Sequence, residues 1–238
     1  MYLKDIDFKL PSRLIASFPL KNRSDSKLLL INKMISDHCF KDLPKLLKPN
    51  DVLVINDTAV MKARLFARKA SGAKVEILIE RILEETKVIA QTKSNSKLKQ
   101  GDILSLANKG PDLILGKKKG HLFYISFPES VLKLLEDFGQ VPLPPYIKRK
   151  PSSLDDVRYQ TIYANLNNPS SVAAPTAGLH FDKTLLTSLT SMGVKLAKIS
   201  LKIGMGTFQP IRESIVENHK IQMRVFVIIV VKKCQLKN

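Results

Sequence analysis

The sequence predicts an α/β fold with a mixed sheet, in which a discontinuous main domain is interrupted by an inserted small antiparallel β-barrel domain. Three observations predict it. Residues 51–56 (DVLVIN) form a continuous apolar run bounded by polar residues, the pattern of a buried strand. The middle of the chain changes texture, with short β-like runs separated by Gly, Asn, Lys and Ser, as in a small barrel or sandwich. Helical and alternating patterns then return after Asp155. The boundaries that follow are 1–64 for the first part of the main domain, 65–145 for the barrel, 146–218 for an incomplete second part, and 219–238 for a tail.

In chain order, LPSRLIASFP from Leu10 has a short helical pattern ended by Pro19, and SKLLLIN reads as a strand. KDLPKLLKPN from Lys41 reads as one or two helical turns stopped by Pro49. Asn56, Asp57 and Thr58 end the DVLVIN strand, where a strand tip can present side chains to a ligand. AKVEILIERIL, TKVIAQTK, GDILSLA, DLILG and HLFYISF supply the barrel strands, with SNSKLKQGD and GKKKG as basic loops. SVLKLLEDFG is helical up to Gly139, and QVPLPPYIKRK is a linker or a rigid extended segment. DDVRYQTIYANL reads as a helix with acids in its first turn. DKTLLTSLTSMG reads as another, with Asp182 as N-cap and Gly193 as C-cap. In KISLKIGMGTF, residues 199–203 alternate, so that Ser200 and Lys202 share the face opposite Ile199, Leu201 and Ile203.

Composition limits the function. The 238 residues are 44% hydrophobic, which excludes wholesale disorder. A formal net charge of +18 points to a polyanion, nucleic acid first, although a lysine-rich surface also serves as a solvated one. The two cysteines, Cys39 and Cys234, are far apart and form no metal-ligand pattern, which fits a reducing cytoplasm and no metal. The N-terminus lacks a signal peptide's apolar stretch, and no apolar run approaches membrane-spanning length. A cytoplasmic protein with no membrane contact, and a monomer, is expected.

The segment with most chemistry is SVAAPTAGLHF, residues 171–181. Its small residues let another surface approach the backbone, and Thr176 and His180 add polar groups. It lines a pocket or makes a tight turn before a helix, with His180 satisfied in the core. His180 is the first candidate for proton transfer, because an unperturbed imidazole titrates near neutrality. Asp57 is a general base, a ribose ligand, or the cap of an Asx-type turn. The GMG at Gly204 is no dinucleotide fingerprint, because Gln209 occupies the third glycine position. The KKK at 117–119 and KRK at 148–150 are phosphate contacts or solvated loops.

Several runs together resemble one family, the S-adenosylmethionine:tRNA ribosyltransferase-isomerases of queuosine biosynthesis. They are DVLVINDT with ARL after it, GAKVEILIE, GQVPLPPYI, RYQTIYA, SVAAPTAGLHF and IGMGTFQPI, in the family's order and spacing up to about His219. The resemblance implies an α/β domain with an inserted barrel. It also implies S-adenosylmethionine as co-substrate and ribosyl donor, without a metal. The implied acceptor is a 7-aminomethyl-7-deazaguanine base in tRNA, and the product is epoxyqueuosine. On this resemblance Thr176, Ala177 and Gly178 line the adenosyl pocket. Gly204, Gly206, Thr207 and Phe208 close it, with Phe208 placed to stack on a base. Arg64, Arg149 and Arg158 contact tRNA or a carboxylate, or else form surface salt bridges.

The chain also departs from the family pattern. Ala59 follows Asn56-Asp57-Thr58 where the family carries a basic residue, and Lys62 replaces a proline. Ser24 and Val157 each replace an acid, and Lys202 stands where the family's strand has a histidine. After His219 the family's histidine-rich pattern gives way to VFVIIVVKKCQLKN, a β-prone, uncharged stretch followed by a basic end. The expectation is a C-terminally truncated member with a non-family tail, which leaves apolar faces uncovered. Two functions follow: a working ribosyltransferase-isomerase, or an inactive remnant that at most binds RNA.

Overall fold

A computed structural model describes residues 1–219 other than 168, 209 and 212, together with the backbone of Phe226–Val227. The chain opens with exposed 3-10 turns, Leu3–Asp5 and Ser12–Leu14, and a third turn at Arg23–Asp25. The helical pattern expected from Leu10 is reduced to the second of these. A hairpin follows, β1 (Lys27–Ile31) against β2 (Ile35–Cys39). The turn Phe40–Lys45 then leads to β3 (Val52–Asn56) and the short β4 (Ala59–Val60).

Six antiparallel strands close into a barrel in the order β10-β7-β6-β5-β8-β9. They are β5 (Arg64–Lys69), β6 (Lys74–Glu84), β7 (Lys87–Ser94), β8 (Ile103–Leu106), β9 (Asp112–Lys119) and β10 (Leu122–Ser126). Alternation drives the closure. In β5 and the first half of β9 burial alternates, so Leu65, Leu113 and Leu115 are fully enclosed with Ile77, Ile79, Leu104 and Ile125. Each such side chain contributes roughly 1.5–3 kcal/mol relative to leaving it in water. Helix α1 (Val131–Phe138) adds Val131, Leu134 and Leu135 to the same core. Lys117, Lys118 and Lys119 belong to β9 itself, not to a loop, because the turn falls at Gly120 and His121.

After the barrel, residues 141–144 are buried and extended, with Val141 and Leu143 packed against Val60, Tyr159 and Ala174. The proline-rich stretch is therefore a rigid spacer, not a solvated linker. Helix α2 (Ser153–Arg158) is shorter than its pattern suggests, because Tyr159 and Thr161 turn into the core beyond it. Strand β11 (Pro169–Ser171) pairs in parallel with β4. Helix α3 (Lys183–Ser191) is capped by Asp182, which accepts from the Leu185 amide at 2.8 Å, and it ends at Gly193, whose φ is +90°.

Strand β12 (Lys195–Leu201) lies parallel to β3, and β13 (Phe226–Val227) pairs with β12 antiparallel, so this sheet is mixed. Strand β3 is not wholly enclosed. Ile55 is buried, whereas Val52 and Val54 are 57% and 56% exposed on the other face. Residues 220–225 and 228–238 of the tail lie outside the described residues, as does Gln209.

Candidate functional site

Strands β3 and β12 run the same way, so their carboxyl ends meet at one edge, the position where parallel sheets receive ligands. Polar side chains lock this edge. The Asn56 amide donates to the Leu201 carbonyl at 3.0 Å, and its oxygen accepts from the Leu201 and Thr58 amides. Ser200 donates to Asp57 Oδ1 at 2.5 Å, so the Ser200 face of β12 is aimed at the strand tip. The hydroxyls of Thr58 and Ser171, both buried, lie 2.6 Å apart.

The same edge joins the two glycine-bearing segments. The Ile203 amide donates to Ser171 Oγ at 2.8 Å, and the Val172 amide donates to the Ile203 carbonyl at 2.9 Å. Residues 171–174 are buried, and Val172 reaches the barrel core. The turn Met205–Phe208 carries Gly206, Thr207 and Phe208. Gly204 lies against the barrel residue Glu80, where a Cβ would stand 2.8 Å from Oε1. The 203–208 turn therefore bridges the sheet edge and the barrel wall.

Thr176, Ala177, Gly178 and His180 share one 3-10 turn, Thr176–His180. Thr176 and Ala177 are exposed, whereas Gly178 is buried where a Cβ would stand 2.3 Å from the Tyr163 hydroxyl. His180 Nδ1 lies 2.9 Å from Ser26 Oγ, and that hydroxyl donates its one proton to the Arg23 carbonyl at 3.2 Å. Both contacts are satisfied when Nδ1–H donates to Ser26, which leaves the lone pair on Nε2. Burial, and then the charge of Arg23, lower the imidazole pKa, so the neutral base is the form present near neutrality. Phe40 packs on the ring at 5.3 Å. Asp57 belongs to a separate network, in which Ser200 donates to its Oδ1.

The three arginines are engaged inside the chain. Arg64 pairs with Glu76 on the next strand at 3.2 Å. Arg149 grips the buried Asp155 through two bonds of 2.6 and 2.7 Å and also donates to the Ser17 carbonyl. Arg158 donates to the carbonyls of Leu20 and Lys21. Arg64 and Arg149 thus form ion pairs within the chain, that of Arg149 a largely buried one and not a surface one, while Arg158 ties the N-terminal segment down.

Two clefts open nearby, and His180 itself lines neither. One of about 190 Å³ runs past Thr176 and is walled by Phe18, Tyr146 and Tyr159. Burial pushes the Tyr159 hydroxyl up to about 12, so it stays protonated. Aromatic walls of this kind suit a flat base. The other cleft, of about 800 Å³, is lined by Arg23, Asp25, Lys41, Val157, Arg158 and Asp182 among others. Sequence reasoning missed Phe18 and Tyr146, because isolated aromatics in loops carry no periodic signal. The lining of these two clefts includes no residue of the 203–208 turn. Among the described residues no group of three or more His, Cys, Asp or Glu is arranged to hold a metal.

The profile of a family described as "Queuosine biosynthesis protein" matches residues 3–234. A protein of Ralstonia pickettii named S-adenosylmethionine:tRNA ribosyltransferase-isomerase is 45% identical over 224 residues, 92% of this chain and 62% of that protein. A protein of the same name from Legionella pneumophila strain Lens is 44% identical over 231 residues, 96% of this chain and 68% of that one. The chain thus spans about 62% of the length of the first of these relatives. The crystal structure of an S-adenosylmethionine tRNA ribosyltransferase from Thermotoga maritima is 26% identical, covering 84% of this chain and 58% of that chain with a TM-score of 0.34.

Proposed function

The chain belongs to the queuosine biosynthesis protein family, and from that premise we propose that it transfers and isomerises the ribosyl group of S-adenosylmethionine onto a 7-aminomethyl-7-deazaguanine base in tRNA. The product is epoxyqueuosine, with adenine and methionine released. The observation that supports this reading is the hydrogen-bonded junction of residues 171–172 with Ile203 at the carboxyl ends of β3 and β12.

The sulfonium of the donor acidifies its C5′ hydrogens, so the protein's task is to hold an unprotonated base beside that carbon and keep water out. His180 has the form this needs, with Nδ1–H fixed on Ser26 and Nε2 available to take the proton. Thr176 borders the cleft walled by Phe18 and Tyr146, where the adenine ring stacks, and Ala177 is exposed next to it on the same turn. Asp57, held by Ser200, orients a ribose hydroxyl at the strand tip. Gly204, Gly206, Thr207 and Phe208, on the turn that bridges the sheet edge and the barrel, border the ribose end at the strand tips rather than the Thr176 cleft.

A second reading, an RNA-binding member without activity, draws on Ala59 and Lys202. Ala59 is fully enclosed, so no basic side chain reaches the strand tip from that position. One assay separates the two readings. The protein is incubated with S-adenosylmethionine and tRNA bearing the deazaguanine precursor, and adenine is followed. Release that requires both substrates supports the transferase, and tRNA binding without release supports the second reading. Neither release nor binding refutes both.

A further inference from the structure

The barrel has two unlike ends. Strand alternation places the β5–β6 turn, the loop at 95–102 and the β9–β10 turn together at one end. The chain enters and leaves the barrel at the other end, near Ala63 and Phe127. The first end is therefore distal to the α/β part.

Charge follows this division. Arg68 and Lys74 stand opposite each other across the distal hairpin. Lys93 is the penultimate residue of β7, Lys97 and Lys99 occupy the loop, and Lys117, Lys118 and Lys119 end β9. All eight are exposed. The ninth cation, Lys69, is partly buried and neutralised by Asp102 at 2.8 Å, and Glu76 is held by Arg64. Over residues 68–76, 93–102 and 117–121 nine cations thus face two acids, both already paired. At the proximal end, over 81–87, 107–112 and 126–130, three cations face four acids.

We propose that the distal end of the barrel is a docking surface for the phosphate backbone of folded RNA, separate from the site that handles the reacting base. The proposal rests on the tRNA reading above and adds where the rest of that RNA sits. Glu80, beside Gly204, is six residues along β6 from Lys74, so the lysines stand about 20 Å along the strand from the 203–208 turn. That spacing requires a long polyanion to engage both places at once. The three distal loops expose no large apolar side chain, which disfavours insertion into a lipid surface. Lysines act here as point charges that displace condensed counterions, giving affinity without sequence readout.

The test is tRNA binding by the full chain at several salt concentrations, using an unmodified tRNA transcript. Lys93→Glu, Lys117→Glu and Lys119→Glu are combined, and Lys87→Glu with Lys109→Glu is the proximal control. The distal triple variant is expected to bind at least about tenfold more weakly near 100 mM salt, with the slope of log affinity against log salt reduced by about two. The control is expected to keep wild-type affinity. Should the glutamate triple fail to fold, the corresponding Lys→Gln triple is read in the same way, with a smaller loss. Unchanged affinity and slope overturn the proposal. So does an equal loss in the control, or wild-type binding to anionic phosphatidylserine vesicles but not to tRNA. Adenine release at saturating tRNA reports separately on the reaction, and the distal triple variant is expected to retain it.

Discussion

The barrel and the α/β part are held together by different physics. The barrel is closed, and its interior is a continuous apolar core with residues such as Leu65, Ile77 and Leu113 fully enclosed. In the α/β part, β3 and β12 bury one face while Val52, Val54 and Leu196 remain exposed on theirs, as do Leu29 and Ile35 in the N-terminal hairpin. Its segments are joined by polar staples: Asn56 to Leu201, Arg149 to Asp155, and Arg23 and Arg158 to backbone carbonyls. A region held by apolar closure responds to lost volume, and a region held by charged hydrogen bonds responds to pH. The groups assigned to the chemistry lie mainly in the second region.

Four substitutions test this contrast. Leu113→Ala opens a cavity in the closed barrel and should cost about 3–5 kcal/mol in denaturant unfolding. Asp155→Asn leaves the Arg149 guanidinium without its carboxylate and should cost about 3 kcal/mol.

The pH response of that pair has a definite sign. The Arg149 hydrogen bonds are the largest cause holding the Asp155 pKa below the usual carboxylate range. Stability from this pair is therefore complete above the unfolded carboxylate pKa and is lost as pH falls through the lowered native value. The melting temperature of wild type should drop on acidification below about pH 4, and Asp155→Asn should flatten that drop. Equal acid sensitivity in the two proteins would remove the contrast.

Gly178→Ala places a methyl group against the Tyr163 hydroxyl and Thr161, and should cost about 1–3 kcal/mol. Val54→Thr, on the exposed face, should change stability by less than about 0.5 kcal/mol. A larger loss there would show that this face is covered in solution.

The sequence made the barrel and α3 legible because both rest on local patterns, alternation in HLFYISF and a cap pair at Asp182 and Gly193. It was less informative where tertiary contacts decide. DVLVIN reads as a buried strand, but only the face of Leu53 and Ile55 is covered, Leu53 by the cluster around Leu185 and Leu189 of α3, while Val52 and Val54 stay exposed. The pattern of DDVRYQTIYANL is helical, yet Tyr159 and Thr161 are drawn into the core and end α2 early. Arg149 and Arg158 look like ligands for anions because no pattern announces Asp155 or the carbonyls of Leu20 and Lys21 as their partners. The turn Thr176–His180 was legible as a unit, but its Ser26 partner lies 154 residues away and leaves no trace in the local sequence.

The most direct test of the catalytic assignment is single-turnover adenine release from S-adenosylmethionine on precursor-bearing tRNA, with His180→Gln compared against wild type across pH. The account predicts a rate loss of about 10²- to 10⁴-fold in the variant with both substrates still bound. It also predicts a wild-type acid limb below the ordinary histidine pKa, as burial and the Arg23 charge require. An unchanged rate in His180→Gln would contradict it.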